Sequence, residues 1–134
     1  MVYSSNVTGR FEVYVEPFPS EAGAGGKWSV STAGGEDPCW RPDGKELFYL
    51  DPAGRLFAVP VRNSNPKSGF SMGTPTALFD TRLSREDRRP GSFAPLSRSY
   101  DVAPDARRFL VRVVREQGVD APLVLVTNWQ ALLK

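Results

Sequence analysis

The stretch Pro42-Asp43-Gly44-Lys45-Glu46-Leu47-Phe48-Tyr49-Leu50 occurs a second time in this chain, as Pro104-Asp105-Ala106-Arg107-Arg108-Phe109-Leu110-Val111-Arg112. A third, partial copy reads Val2-Tyr3-Ser4-Ser5 with Gly9-Arg10-Phe11. It matches Leu47–Leu50 with Gly54-Arg55-Leu56, and Gly9 and Gly54 lie 54 − 9 = 45 residues apart. Repeats of about 40–45 residues made of short strands are the sequence signature of β-propeller blades. The repeat therefore predicts an all-β fold, a partial β-propeller of about two to three antiparallel blades.

Each complete copy begins with a turn that leads into a strand. In the first copy proline presets the backbone, Asp43 can accept hydrogen bonds from nearby N–H groups, and Gly44 can take a positive φ. Ala106 replaces that glycine in the second copy, so we expect either a different turn or a small strain cost there. The strand Leu47–Leu50 is apolar on both faces, which is typical of a strand covered on both sides.

Turn residues and period-two alternation divide the chain into four segments. We predict a partial blade, a full blade, a loop and a second partial blade, over 1–34, 35–82, 83–97 and 98–134.

Burial follows from the same pattern. We expect four side chains of the strands to be buried, those of Val13, Val15, Leu47 and Tyr49. We expect residues 83–90, which are mostly polar, to be exposed. Between residues 62 and 97 only Thr76–Phe79 is predicted as a strand.

Composition excludes several classes of function. The net charge of +2 is too small to indicate a nucleic-acid or anionic-membrane partner. No apolar run reaches the roughly 18 residues of a membrane span, and no signal-peptide pattern is visible. Cys39 is the sole cysteine and histidine is absent, so an intramolecular disulfide, a cysteine-based zinc site and a Ser-His-Asp triad cannot form within this chain. We predict a protein without catalytic, cofactor or metal sites, and not an enzyme.

Two motifs have a chemical and a structural interpretation. Gly23–Lys27 is similar to a phosphate-binding loop, but Glu21 stands where a glycine is needed and Trp28 follows the lysine, which favours a hairpin loop. Glu36 and Asp37 could form a carboxylate pair. Adjacent strand residues point to opposite faces, which favours a loop that leads into the Cys39 strand.

Two further groups of residues could contact a ligand or partner. A basic stretch from Arg82 to Arg98 is interleaved with Glu86 and Asp87, which favours a solvated loop over a partner-contact surface. The candidate contact residues are Arg82, Arg85, Arg88 and Arg89. The tryptophans Trp28, Trp40 and Trp129 could form a ligand face, but core packing between blades is the commoner role of such large rings.

The turn Trp40-Arg41-Pro42-Asp43-Gly44-Lys45 resembles the W-S-P-D-G-K turn of TolB-type β-propellers. Other matching segments are Tyr3–Asn6 with Gly9-Arg10, Glu12–Val15 with Pro17–Pro19, Trp28–Ser31, Leu47–Leu50, Tyr100–Asp105 and Asn128-Trp129. More closely, the chain resembles the C-terminal blades of large bacterial proteins in which such a propeller follows a Ser/Thr kinase or another effector domain. The resemblance implies a structural role for the turn residues and a parent protein of the kind that can be membrane-anchored.

The function expected from this resemblance is that of a non-catalytic protein-interaction or sensing module. The alternative is a propeller segment that gates substrate access in a peptidase or other hydrolase. A third interpretation is the product of a truncated gene that is stable only as an oligomer. Because incomplete blades leave unpaired strand edges, we expect a protein partner or self-association, in the form of a homo-oligomer.

Overall fold

The computed structural model describes residues 1–18, 26–65, 69–83, 98–113 and 123–127, with backbone only for 64–65 and 123–127. The described residues form eleven short strands and no helix. These are β1 (Val2–Ser5), β2 (Glu12–Val15), β3 (Trp28–Ser29), β4 (Glu36–Trp40), β5 (Glu46–Leu50), β6 (Arg55–Asn65), β7 (Gly69–Met72), β8 (Thr76–Asp80), β9 (Tyr100–Val102), β10 (Arg108–Arg112) and β11 (Leu123–Thr127). In these ranges no helix is long and apolar enough to cross a membrane.

The strands make three antiparallel sheets, so the all-β prediction is confirmed for the described residues. The first sheet has the order β1-β2-β3, and the third has the order β11-β10-β9. The central sheet contains β4, β5 and β6, with β7 and β8 both paired to β6. All pairings are between sequence neighbours except that of β6 with β8.

The strands β7 and β8 are two halves of one outer strand. Val61 pairs with Met72 and Ala58 with Thr76, so successive parts of β6 meet successive parts of the same partner. The interruption lies at residues 73–75, where the Gly73 N–H donates to the Pro60 carbonyl at 2.7 Å. The central sheet is therefore in effect a four-stranded meander, and β7 is a strand that the sequence prediction missed.

The two turns of the repeat adopt the same geometry. The Gly44 N–H donates to the Arg41 carbonyl, as the Ala106 N–H donates to that of Ala103, both at 2.8 Å. Gly44 has a φ of 72° and Ala106 a φ of 55°. Of the two expected outcomes for Ala106, the structure shows the strained one, an alanine in the left-handed region.

The register of the following strands repeats as well. Trp40 pairs with Leu47 in the central sheet, and Val102 pairs with Phe109 in the third sheet, 62 residues further on (102 − 40 = 109 − 47 = 62). The next pair matches too, Cys39 with Phe48 and Asp101 with Leu110, after which a bulge in β4 ends the correspondence.

Two apolar clusters cover the two faces of the central sheet. Leu47, Tyr49 and Val59 pack with Val13 and Val15 of the first sheet. The alternate residues of β5 and β6 face the other way and pack against the third sheet in a cluster containing Phe48, Leu50, Leu56, Ala58, Tyr100, Val102, Phe109 and Val111. Leu47–Leu50 is buried on both faces, as predicted, because a sheet lies on each side of it.

The buried side chains predicted from the sequence are confirmed. Val13 and Leu47 are fully buried, and Val15 and Tyr49 are each 5% exposed. The prediction that residues 83–90 are exposed is wrong at Leu83, which is buried in the cluster between the central and third sheets. Residues 84–90 lie outside the described residues.

Leu83 is buried because the chain after β8 folds back onto the turn before β6. The Thr81 side chain and N–H both donate to the Gly54 carbonyl, at 2.6 and 3.0 Å. The Leu83 N–H in turn donates to Thr81 Oγ1 at 3.3 Å. These hydrogen bonds hold the chain where the Leu83 side chain lies in that cluster.

The structure corrects two predictions made from the sequence. Glu36 and Asp37 belong to β4 rather than to a loop, with a bulge before Cys39 and a φ of 51° at Asp37. The partial copy is out of phase by one residue, since Val2 packs toward the central sheet and so takes the place of Phe48, not Leu47. A one-residue slip exchanges the two faces of a strand, which is why burial detects it and residue similarity does not.

Candidate contact surfaces

The buried carboxylate of Glu12 is fixed by neighbours in the first sheet. It accepts hydrogen bonds from the Ser31 hydroxyl, from the Gly34 N–H at 3.1 Å and from Arg10 Nε at 2.8 Å. Burial alone would raise the pKa of Glu12, but the bonds from Ser31, Arg10 and Gly34 outweigh it and lower that pKa. With these donors in place, the carboxylate acts as a structural acceptor.

Asp51 has the equivalent structural role in the central sheet. Its carboxylate accepts from the N–H groups of Ala53 and Arg55, each at 2.9 Å, and pairs with the Arg55 guanidinium at 2.8 Å. The guanidinium also lies over the Phe57 ring, which stacks on Tyr49 with centroids 5.3 Å apart. Burial and the nearby carboxylates of Asp51 and Glu12 raise the pKa of Tyr49 to about 12.

Asp37 ties the central sheet to the third sheet. Its side chain accepts from the Ser99 hydroxyl, and its carbonyl accepts from the Tyr100 hydroxyl at 2.9 Å. The Asp37 carboxylate is therefore engaged in a structural hydrogen bond between the two sheets. Nearby, burial raises the pKa of the Cys39 thiol despite Arg98, whose Nη1 lies 3.2 Å from the sulfur. A protonated, buried thiol is a poor nucleophile.

Aromatic side chains from three strands meet beside the apolar cluster between the first and central sheets. Phe70 on β7 contacts Trp28 on β3 and Trp40 on β4, with ring centroids 5.7 and 6.2 Å apart. All three rings are only partly buried, and they pack on the apolar cluster between the first and central sheets. We call Trp28, Trp40 and Phe70 the aromatic surface. Trp28 and Trp40 thus combine core packing with partial exposure, and Trp129 lies outside the described residues.

Sequence reasoning missed Phe70, the residue that joins the two tryptophans. Gly69-Phe70-Ser71-Met72 alternates apolar and small residues with period two, which is a strand signal. Four residues next to Pro66 and Pro75 were too short a run to stand out from a loop. Its pairing with β6 is local, since Asn65 pairs with Gly69, but the contacts of Phe70 with Trp28 and Trp40 join residues that are far apart in the sequence, and only the fold reveals them.

The lysine of the glycine-rich segment packs on aromatic rings instead of standing in a phosphate loop. Lys27 Nζ lies 4.0 Å from the ring centroid of Tyr14 and 5.6 Å from that of Tyr3. This geometry is a cation–π contact. Residues 23–25 of the segment lie outside the described residues.

Of the four arginines predicted as contact residues, the structure describes only Arg82. Arg82 is exposed, and its N–H donates to the Asp80 carboxylate at 2.7 Å. Arg85, Arg88 and Arg89 lie outside the described residues. Arg98, which closes the same region, is also exposed apart from its contact with Cys39.

Metal binding has no candidate within the described ranges, where no three His, Cys, Asp or Glu side chains gather closely enough to hold an ion. Comparison with known proteins found no matching family model, no matching curated protein and no matching solved structure.

Proposed function

We propose that the three sheets are consecutive blades of a TolB-like β-propeller that serves as a non-catalytic protein-interaction or sensing module. The observation that carries the proposal is the central sheet, a four-stranded meander with another sheet packed on each face. Propeller blades have this form and this two-sided packing. The repeated turn at Gly44 and Ala106 adds support, because it starts equivalent strands in successive sheets.

The aromatic surface supports the interaction role. Tryptophan and other aromatic residues are enriched at protein–protein interfaces, where large rings bury much area with few rotatable bonds. Trp28, Trp40 and Phe70 offer three such rings on one side of the molecule. We include the arginines Arg82, Arg85, Arg88 and Arg89 as a second candidate contact region, on the basis of charge and of the exposure of Arg82.

Two carboxylates that already accept several hydrogen bonds support the proposal that the module is non-catalytic. A general acid or base needs a carboxylate free to exchange a proton with a substrate. Glu12 and Asp51 instead accept several hydrogen bonds each from their own sheet. With histidine absent from the chain, we expect no turnover of generic ester, peptide or phosphate substrates.

Affinity capture with matched variants tests the interaction role. The wild-type chain and the variants Phe70→Ser and Phe18→Ser are each immobilised after the variants are shown to be folded. The proteins that each form retains are then compared. Phe18 is 78% exposed and makes no ring contact with the aromatic surface in the described part of the chain, so it controls for the loss of an exposed phenylalanine. We expect a protein retained by the wild type and by Phe18→Ser to be lost with Phe70→Ser.

If the wild type and both variants retained the same proteins equally, the aromatic surface would have no role in binding. Turnover of an ester, peptide or phosphate substrate that disappears on substitution of a residue in this chain would contradict the non-catalytic assignment.

A further inference from the structure

The second half of β6 continues beyond the strands that flank its first half. β5 pairs with β6 as far as Pro60, and β8 pairs with residues 55–58. The Val61 N–H makes one further bond to the β5 side, to the Lys45 carbonyl at 2.8 Å. Among the described strands, residues 61–65 of β6 therefore pair with β7 alone. We call residues 61–65 together with β7 the strap.

The strap joins the rest of the central sheet at a discontinuity in both of its strands. Its register shifts between Val61 and Asn63, and residues 73–75 separate β7 from β8. At the same level the Gly73 N–H donates to the Pro60 carbonyl at 2.7 Å, and a Cβ atom on Gly73 would lie only 2.6 Å from Pro60 Cγ. Because such irregularities bend strands, Pro60 and Gly73 mark a hinge.

Side-chain packing holds the strap on the junction between the first and central sheets. Val61, Phe70 and Met72 pack on the apolar cluster between these sheets. Phe70 contacts Trp28 of β3 and Trp40 of β4, with ring centroids 5.7 and 6.2 Å apart. The strap therefore connects an edge strand of the first sheet with β4, at the opposite edge of the central sheet from β7.

The strap is less buried than the part of β6 that precedes it. None of residues 61–63 and 69–72 is buried, whereas Leu56, Ala58 and Val59 are. A two-stranded ribbon is only marginally stable by itself. Segments with few buried side chains open locally at a lower free energy than the core does. The strap should therefore open while the three sheets stay folded.

We propose that the strap is a hinged segment that assembles the aromatic surface when it is closed and takes that surface apart when it opens. Opening at Pro60 and Gly73 moves Phe70 away from Trp28 and Trp40. A protein that contacts all three rings then binds only the closed form, and its binding holds the strap closed. This consequence for binding rests on the proposed function, whereas the opening itself does not.

Thiol labelling of a Met72→Cys chain tests the opening. The native Cys39 is 3% exposed in the cluster between the central and third sheets, so it reports in the same molecule on opening of the sheets. Peptide masses separate the two labelled sites. We expect position 72 to be labelled about tenfold faster or more than Cys39, with little dependence on urea, because a local opening exposes little surface.

Further changes in the Met72→Cys chain separate opening from labelling of the closed form. Gly73→Ala places a methyl group against Pro60 at the hinge and should speed labelling at position 72. Ser71→Ala, at an exposed position of the same strand, should leave that rate unchanged. Phe109→Ala should speed the labelling of Cys39 alone, since Phe109 packs on the other face of the central sheet.

Phe70→Ala is a second strap variant, which removes the ring contacts without a clash at the hinge. It should also speed labelling at position 72, and it keeps the test decisive if Gly73→Ala does not fold.

Two outcomes overturn the inference. One is labelling of position 72 at the rate and urea dependence of Cys39. The other is labelling of position 72 that neither Gly73→Ala nor Phe70→Ala accelerates. Failure of the proposed binding role is a separate result. Independent opening of the strap without any captured protein would support the strap and contradict the binding role. Capture that is lost with Phe70→Ser, in a chain whose strap opens only with the sheets, would do the reverse.

Discussion

Gly44 and Ala106 occupy equivalent turn positions with positive φ, 72° and 55°, but only one of them is free of side-chain strain. A left-handed conformation costs an alanine roughly 1–2 kcal/mol. Ala106 is also buried and packs in the cluster between the central and third sheets. Its methyl group recovers about 0.8 kcal/mol of that cost. This partial compensation explains how an alanine is tolerated where the sequence pattern has glycine.

Two glycine substitutions separate conformational strain from steric conflict. At Gly44, with a φ of 72°, a Cβ atom would meet nothing within 4 Å, so Gly44→Ala should cost about 1–2 kcal/mol from strain alone. At Gly54, with a φ of 87°, the Cβ would collide with the Leu83 carbonyl oxygen, which should add about 1–3 kcal/mol. Urea unfolding at constant m-value measures both free energies. Equal losses of unfolding free energy in the two variants would show that the Leu83 carbonyl moves aside without adding to the loss.

The pKa of Glu12 links the first sheet to pH. Because the folded-state pKa is lowered from its ordinary value of 4.5, the carboxylate stabilises the fold above pH 4.5 and this contribution is lost as the pH falls through the folded value. Glu12→Gln should cost about 1.5–3 kcal/mol at pH 7, through loss of its charged hydrogen bonds. It should also flatten the decline of unfolding free energy below pH 4.5.

Urea unfolding from pH 3 to pH 7 checks the pH dependence of Glu12. Glu46→Gln, a change at a partly exposed carboxylate in a surface ion pair with Arg41, serves as the control and should keep the decline. If the unfolding free energy of Glu12→Gln fell in acid as much as that of the wild type, a group other than Glu12 would cause the loss of stability.

At the scale of the strand, β5 shows why alternation alone does not describe this protein. Every residue of Leu47–Leu50 is buried, since both sides of the strand are covered. Leu47→Ala should cost about 2–5 kcal/mol, as large-to-small changes in cores do. An exposed arginine change should stay within roughly ±0.5 kcal/mol. Arg88 lies outside the described residues, so Arg82→Ala is the matched control. Equal effects on the urea midpoint would contradict the assigned faces.

The elements that sequence reasoning located best are those with a turn signal at one end. A strand follows each of the turns Pro42-Asp43-Gly44 and Pro104-Asp105-Ala106, as predicted, because local turn chemistry sets where the strands start. The strand β7 was missed, as was the contact of Phe70 with the tryptophans. Both depend on pairing with β6, which local preferences of four residues do not report.

On the scale of the whole molecule, the central sheet couples its two neighbours. Leu47 and Phe48 are adjacent in one strand yet belong to opposite clusters, so loosening one cluster disturbs the strand that supports the other. A single sheet shared by two cores should unfold together with both. This arrangement predicts one cooperative transition for the three sheets.

Phe109→Ala tests that cooperativity. The change should cost about 3–5 kcal/mol. In a Trp129→Phe background, tryptophan fluorescence reports on Trp28 and Trp40, which lie beside the opposite cluster from Phe109. We expect the fluorescence midpoint in urea to fall together with the far-UV circular dichroism midpoint. A fluorescence transition that stays in place would show that the two junctions unfold independently.

The sequence by itself determined the all-β class, the position of the repeated turns and the two-sided burial of Leu47–Leu50, because turn residues and apolar patterning act over a few neighbouring positions. Only the tertiary structure decided the phase of the first copy, the inward path of Leu83 and the meeting of Trp28, Trp40 and Phe70. These features depend on which face of a strand meets another sheet. A shift of one residue reverses that face while it leaves the local sequence pattern almost unchanged.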